Sequence, residues 1–165
     1  MRITLSKIVF LVLVSMSIVS CSSEDAVTAP VDNTQATAQY QYENEETQVM
    51  TLVNNYRQNL GLNTLQKIDF ISIKSEEHNE YMISTGEINH NYFQDRAQSL
   101  MEVLGAVNVS ENLAYNYSTP ESVFNAWLNS ASHKANIVGD FSHFGISIRK
   151  DANGKKYYTN MFIKK

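Results

Sequence analysis

One cysteine in 165 residues excludes any disulfide within the chain. The folded part must therefore be held by core packing alone. No apolar stretch reaches the roughly twenty residues of a membrane-spanning helix. The apolar run from Ile8 to Val19 has twelve. Lys and Arg are absent from residues 22–46, which carry Glu24, Asp25, Asp32, Glu43, Glu45 and Glu46. Beyond residue 46 the eleven acidic and eleven basic side chains balance. A neutral domain without a basic stripe excludes a nucleic-acid-binding surface. Internal repeats are missing, and so is the His-Glu-x-x-His pattern of a zinc peptidase. Neither a nucleophile elbow nor an oxyanion-hole motif is present.

What is there begins at the N-terminus. Arg2 and Lys7 flank the start of the apolar run, which is too short to span and reads as a signal-peptide core. It ends in Ile18-Val19-Ser20-Cys21, which resembles a lipobox with the cysteine at +1. A lone thiol in an exported protein needs a reason, and lipidation of Cys21 supplies one. Several acyl chains on one residue anchor firmly, since each buried methylene adds about 0.8 kcal/mol. The organisation expected is a lipoprotein signal peptide over 1–20, lipidated Cys21 with an acidic flexible tether over 21–46, and one domain over 47–165. The small, polar and acidic residues of the tether bury too little apolar area to offset their ordering entropy. The chain is thus expected to be an exported bacterial lipoprotein, held at the envelope membrane by its N-terminal acyl chains and open to surface exposure.

Val49, Leu52, Val53, Tyr56 and Leu60 recur at helical spacing, and Gly61 ends the pattern. Further helices are predicted from about Asp69 to Ser84 and from about Gln94 to Leu104, closed by Gly86 and Gly105. Thr119-Pro120-Glu121 reads as N-cap, N1 proline and first-turn acid. Strands are expected late. Val109, Glu111, Leu113 and Tyr115 alternate on one side, and Phe144–Arg149 and Lys156–Ile163 flank an Asp151-Ala152-Asn153-Gly154 hairpin turn. Helices first and strands last argue for an α+β fold with a mostly antiparallel sheet.

Four motifs stand in order along 47–165. They are Asn54-Asn55-Tyr56-Arg57 with Gly61-Leu62-Asn63-Thr64-Leu65; His78-Asn79-Glu80-Tyr81-Met82 with Gly86-Glu87-Ile88-Asn89-His90; Ser110-Glu111-Asn112-Leu113-Ala114; and Trp127 through Ser130 and His133 to Asn136-Ile137. Together they resemble the bacterial branch of the CAP superfamily, the cysteine-rich secretory, antigen 5 and pathogenesis-related-1 (SCP-like) group. The resemblance implies a three-layer α-β-α sandwich with a surface cleft lined by His90, Glu111 and His133. Two departures stand out. Ser110 occupies a position usually held by glycine, so the sharp turn there is expected to relax. Ser130 stands where many eukaryotic members have a second glutamate.

The residues leave the chemistry of the cleft open. Two imidazoles and a carboxylate, His90, His133 and Glu111, form a ligand set for Zn²⁺ or another divalent cation with an open position. The same three residues also suit a hydrogen-bonded structural cluster. Ser130, His133 and Glu111 could form a hydrolase triad, but a serine beside His133 more readily caps its helix. His78, beside Glu76, Glu77 and Glu80, is expected on a solvated face or at the core edge; His143 is a rim candidate. The expected function is a non-enzymatic module binding a lipid, a cell-wall component or a protein. A peptidase-like or envelope-polymer-cleaving hydrolase, with or without metal, is the alternative.

Overall fold

The computed structural model describes residues 37–165. The expected signal peptide, Cys21 and most of the expected tether lie outside the described residues. Helix α1 (Asn44–Asn59) is followed by the two-residue strand β1 (Gln66–Lys67), then α2 (Asp69–Thr85), α3 (Phe93–Leu104) and β2 (Asn108–Tyr115). Helices α4 (Pro120–Asn129) and α5 (Ala131–Val138) lead into the hairpin of β3 (His143–Lys150) and β4 (Lys156–Lys164).

Local chemistry accounts for most of these limits. Thr119 Oγ1 accepts from the Ser122 N–H at 3.2 Å and Ser122 Oγ returns the contact to Thr119 N–H at 3.1 Å, starting α4 just before Pro120. Gly86 and Gly105 close α2 and α3 with φ of 69°, a left-handed conformation that costs glycine nothing. In the hairpin, Asp151 Oδ1 accepts from the N–H groups of Asn153 and Lys155 at 2.9 and 2.8 Å.

The sheet order is β1-β3-β4-β2. Both long pairings are antiparallel and only β1 against β3 is parallel, so the sheet is mixed but mostly antiparallel. Central β4 is covered on both faces. Tyr158 and Phe162 pack with Val49, Val53, Phe124, Trp127 and Ile137 from α1, α4 and α5. Met161 and Ile163, one residue out of phase, pack with Phe70, Ile71 and Leu100 from α2 and α3. Period-two alternation on one strand therefore builds two cores and the three-layer sandwich. β2 lies at the edge of the sheet, and this decides where the cleft forms.

Three expectations need correction. Packed structure reaches back before Thr47: Tyr40 and Glu46 are buried, and Glu46 accepts from Tyr40 Oη at 2.7 Å and from the Ile148 N–H at 2.8 Å. The acids at 43–46 thus start α1 instead of ending a tether, because Glu46 meets donors on β3 that no local pattern announces. The parallel strand β1 had no sequence signal, being only two residues long. Ser110 needs no turn at all: it pairs with Phe162 within an unbroken β2 register.

Candidate functional site

Glu111 points to the α2/α3 side of edge strand β2, as Met161 and Ile163 do on β4. Its carboxylate is 1% exposed. Arg96 on α3 grips it with a fork: Nε reaches Oε2 at 3.0 Å and Nη2 reaches the two oxygens at 2.9 and 2.7 Å. His90 completes the set, with Nδ1 2.8 Å from Oε1. A carboxylate only accepts, so Nδ1 carries the hydrogen of this contact, and about half of the imidazole remains exposed.

The loop that carries His90 is pinned from two sides. Arg96 Nη1 donates to the Asn91 carbonyl at 2.8 Å. His78 lies 2.8 Å from the Asn89 carbonyl through Nε2, which must be the protonated nitrogen. His78 is 2% exposed, so of its two expected places the core edge agrees with the structure and the solvated face does not. Its neighbours Glu76, Glu77 and Glu80 were the misleading signal. Ile71, Ser75, His78 and Met82 share one buried helical stripe, and that spacing was the usable one. Arg96 was not singled out from the sequence. It sits next to Ala97 and one turn before Leu100 on a buried stripe, where a charge must find a partner.

His133 arrives from the opposite layer. Helices α4 and α5 are fastened to the outer edge of β2 by the fourth motif itself. Trp127 Nε1 donates to the Leu113 carbonyl at 2.9 Å, and Asn136 Nδ2 to the Glu111 carbonyl at 3.3 Å and Asn112 Oδ1 at 2.8 Å. Asn112 Nδ2 in turn donates to the His133 carbonyl at 3.0 Å. These contacts also cover edge carbonyls that would otherwise invite another strand. Two separate hollows lie along the edge strand. His90, Phe93, Ser110 and Glu111 line one of about 260 Å³; Leu113, Trp127, Ser130 and His133 line another of about 280 Å³.

The donor set does not fit the expected two-histidine, one-glutamate metal site. Among the described residues no three His, Cys, Asp or Glu side chains group to hold an ion. Glu111 has both oxygens engaged by Arg96 and His90, so neither is left to ligate a cation. Glu111 instead orients His90. The Ser130 triad is not assembled either: Ser130 Oγ lies 3.3 Å from Ser132 Oγ, and Glu111 is held on the other side of β2. Ser130 occupies the N-cap position of α5 without a side-chain cap bond, so it caps by backbone alone. His143 stands on β3, separated from β2 by β4, with Nδ1 2.8 Å from Ser142 Oγ. It takes no part in the cleft.

Burial pushes His78, His133 and His143 below the usual imidazole range, and the nearby His90 adds to the effect at His133. The unfolded chain therefore binds protons at these positions more readily than the folded one. Their contribution to stability is complete above about pH 6.5 and is lost as the pH falls below it toward the depressed folded-state values. The melting temperature is expected to drop between about pH 7.5 and pH 5.5, and less steeply in His78→Gln. An identical slope in that variant would remove His78 from the account.

With this geometry in place, the chain can be compared with known proteins. Residues 50–162 match the model of the cysteine-rich secretory protein family (CAP). Two uncharacterised proteins of Bacillus subtilis are similar: YkwD, 29% identical over 87% of this chain, and the membrane protein YlbC, 31% identical over 73% of it. The chain spans 56% and 34% of their respective lengths. Among solved structures, an outer surface protein of Borrelia burgdorferi superposes with a TM-score of 0.69 at 22% identity, covering 78% of this chain and 98% of that one. An extracellular SCP-domain protein of Bacillus anthracis gives 0.65 at 24% identity, covering 73% of this chain and 40% of that one.

Proposed function

Because the chain belongs to the cysteine-rich secretory protein (CAP) family, we propose that it is an exported, lipid-anchored member that works as a binding module at the cell envelope. The carrying observation is the state of Glu111. The one carboxylate of the cleft is tied by Arg96 and His90, and nothing beside it forms a nucleophile and base pair. Such a carboxylate positions an imidazole; it does not shuttle protons to a substrate. The two hollows along β2, with His90, His133 and Phe93 in their walls, suit recognition of a lipid, a wall component or a protein. One observation favours hydrolysis instead: His133, held neutral by burial, shares a hollow with Ser130.

The test is turnover of labelled peptide and envelope polymer by the purified chain. No turnover above that of His133→Ala is expected. Turnover lost in His133→Ala, with folding intact by circular dichroism, would replace the binding reading with a hydrolase. The anchor is tested separately at Cys21, outside the described residues. Cys21→Ser is expected to leave the membrane fraction and to lose acyl labelling, since that one residue would carry every chain. A variant still sedimenting with membranes would mean another anchor.

A further inference from the structure

A third concavity, of about 290 Å³, opens between α2 and α3, with Arg96 in its wall. Neither cleft imidazole lines it. Its walls include Tyr81, Tyr92 and the ring of His78, with Asp95 and Ser99 on α3. Tyr92 is the anomaly. It holds the N-cap position of α3 with no side-chain cap bond, at φ 58°, and is 63% exposed. Serine, asparagine or aspartate would cap better, a left-handed backbone strains a bulky side chain, and an exposed aromatic ring gains little from the fold. Three local rules broken at one residue are the mark of a position kept for function. What the arrangement achieves is a ring set edge-on to Tyr81, centroids 5.3 Å apart, with Tyr81 stacked in turn near His78.

The charges around these rings do not cancel. Lys74 is matched by Glu77 at 2.9 Å and Arg96 by Glu111 at 2.7 Å. Asp95 is exposed and forms no ion pair among the described residues, so one negative charge is left over beside the aromatic faces. Aromatic faces and an unbalanced carboxylate select a ligand that is positive, carries N–H donors for Asp95 and has an aliphatic body. We infer that the groove between α2 and α3 binds a primary alkylammonium group, with Tyr81 and Tyr92 packing its chain and Asp95 meeting its charge. This goes beyond the cleft reading and does not depend on it.

The experiment is a titration of the full chain with n-butylammonium chloride at constant ionic strength, followed by the ring resonances of Tyr81 and Tyr92. Saturable shifts in the millimolar range are expected. Asp95→Asn and Tyr92→Asn should each weaken binding by about fivefold, the scale of one exposed cation–π or ionic contact. Tyr92→Asn should also melt no lower than the wild type, because asparagine caps helices and tolerates the left-handed backbone. Glu102→Gln, an exposed α3 acid bonded to Gln98, should change nothing, and neither should His133→Ala, which separates this site from the cleft. Several results would overturn the inference: no saturation, equal binding of tetramethylammonium, preferential binding of glutarate, or affinity unchanged in both Asp95→Asn and Tyr92→Asn.

Discussion

Replacing Glu111 by alanine is expected to destabilise the protein by about 3–5 kcal/mol, the cost of leaving a buried charge without its partner. Arg96 has 8% of its side chain exposed and would retain only the Asn91 carbonyl. His90 would lose the acceptor that sets its ring, and the loop from Gly86 to Tyr92 would lose a tie to the sheet. Urea unfolding measures the loss directly. Glu111→Gln should cost less, since an amide oxygen still accepts, but its NH₂ would face the guanidinium. The Glu111→Leu/Arg96→Met double variant should recover much of the loss, because two apolar groups of similar size replace the pair together. A single-variant loss below about 1 kcal/mol would mean that the pair is solvated like a surface ion pair. The consequence for function is practical: lost binding or activity in a Glu111 variant reports on the cleft only once folding has been measured in the same sample.

Arg57→Met is the second large effect, expected at about 3 kcal/mol or more. Arg57 is 1% exposed and donates from α1 to the Asn63 carbonyl at 2.8 Å, the Ile137 carbonyl at 2.8 Å and the Gly139 carbonyl at 2.9 Å. The latter two are at the C-terminal end of α5, where carbonyls lack helical partners and a cation is favoured. Removing the guanidinium therefore unties α5 from α1, and α5 carries His133. Amide exchange over residues 131–138 should accelerate beyond what global destabilisation accounts for. Arg57→Lys should rescue only part, since one ammonium on a flexible stem cannot span three carbonyls with fixed geometry. Exchange in α5 unchanged relative to the rest of the core would show that Trp127 and Asn136 hold it alone.

Both variants strike residues that the fold depends on, and both act through structure. Asn54 and Arg57 of the first motif serve packing: Asn54 Oδ1 accepts from the Leu65 N–H at 2.8 Å while its Nδ2 donates to the Leu65 carbonyl at 3.0 Å. Trp127 and Asn136 of the fourth motif tie helices to the β2 edge. Of the motif residues, His90, His133 and Ser130 line the hollows, and His90 does so with its ring held by buried Glu111. Motif strength thus measured how much of the fold was legible more than how much of the chemistry was.

What the sequence determined on its own is whatever depends on neighbours within a turn or two. The Thr119-Pro120 start, the Gly86 and Gly105 stops, the Asp151 turn and the alternation along β4 are local stereochemistry and hydrogen bonding, and the structure repeats them. Strands after helices were enough for the α+β class, and the four motifs for the family. Tertiary structure alone decided who meets whom. Arg96 reaches Glu111 because α3 crosses the face of an edge strand, and Glu46 reaches Ile148 across 102 positions of sequence. His133 lines a separate hollow from His90 because α5 packs on the opposite side of the sheet from α3. Sheet order and strand register set these encounters, and they orient whole layers at once; no spacing along the chain encodes which face of which layer a side chain will find.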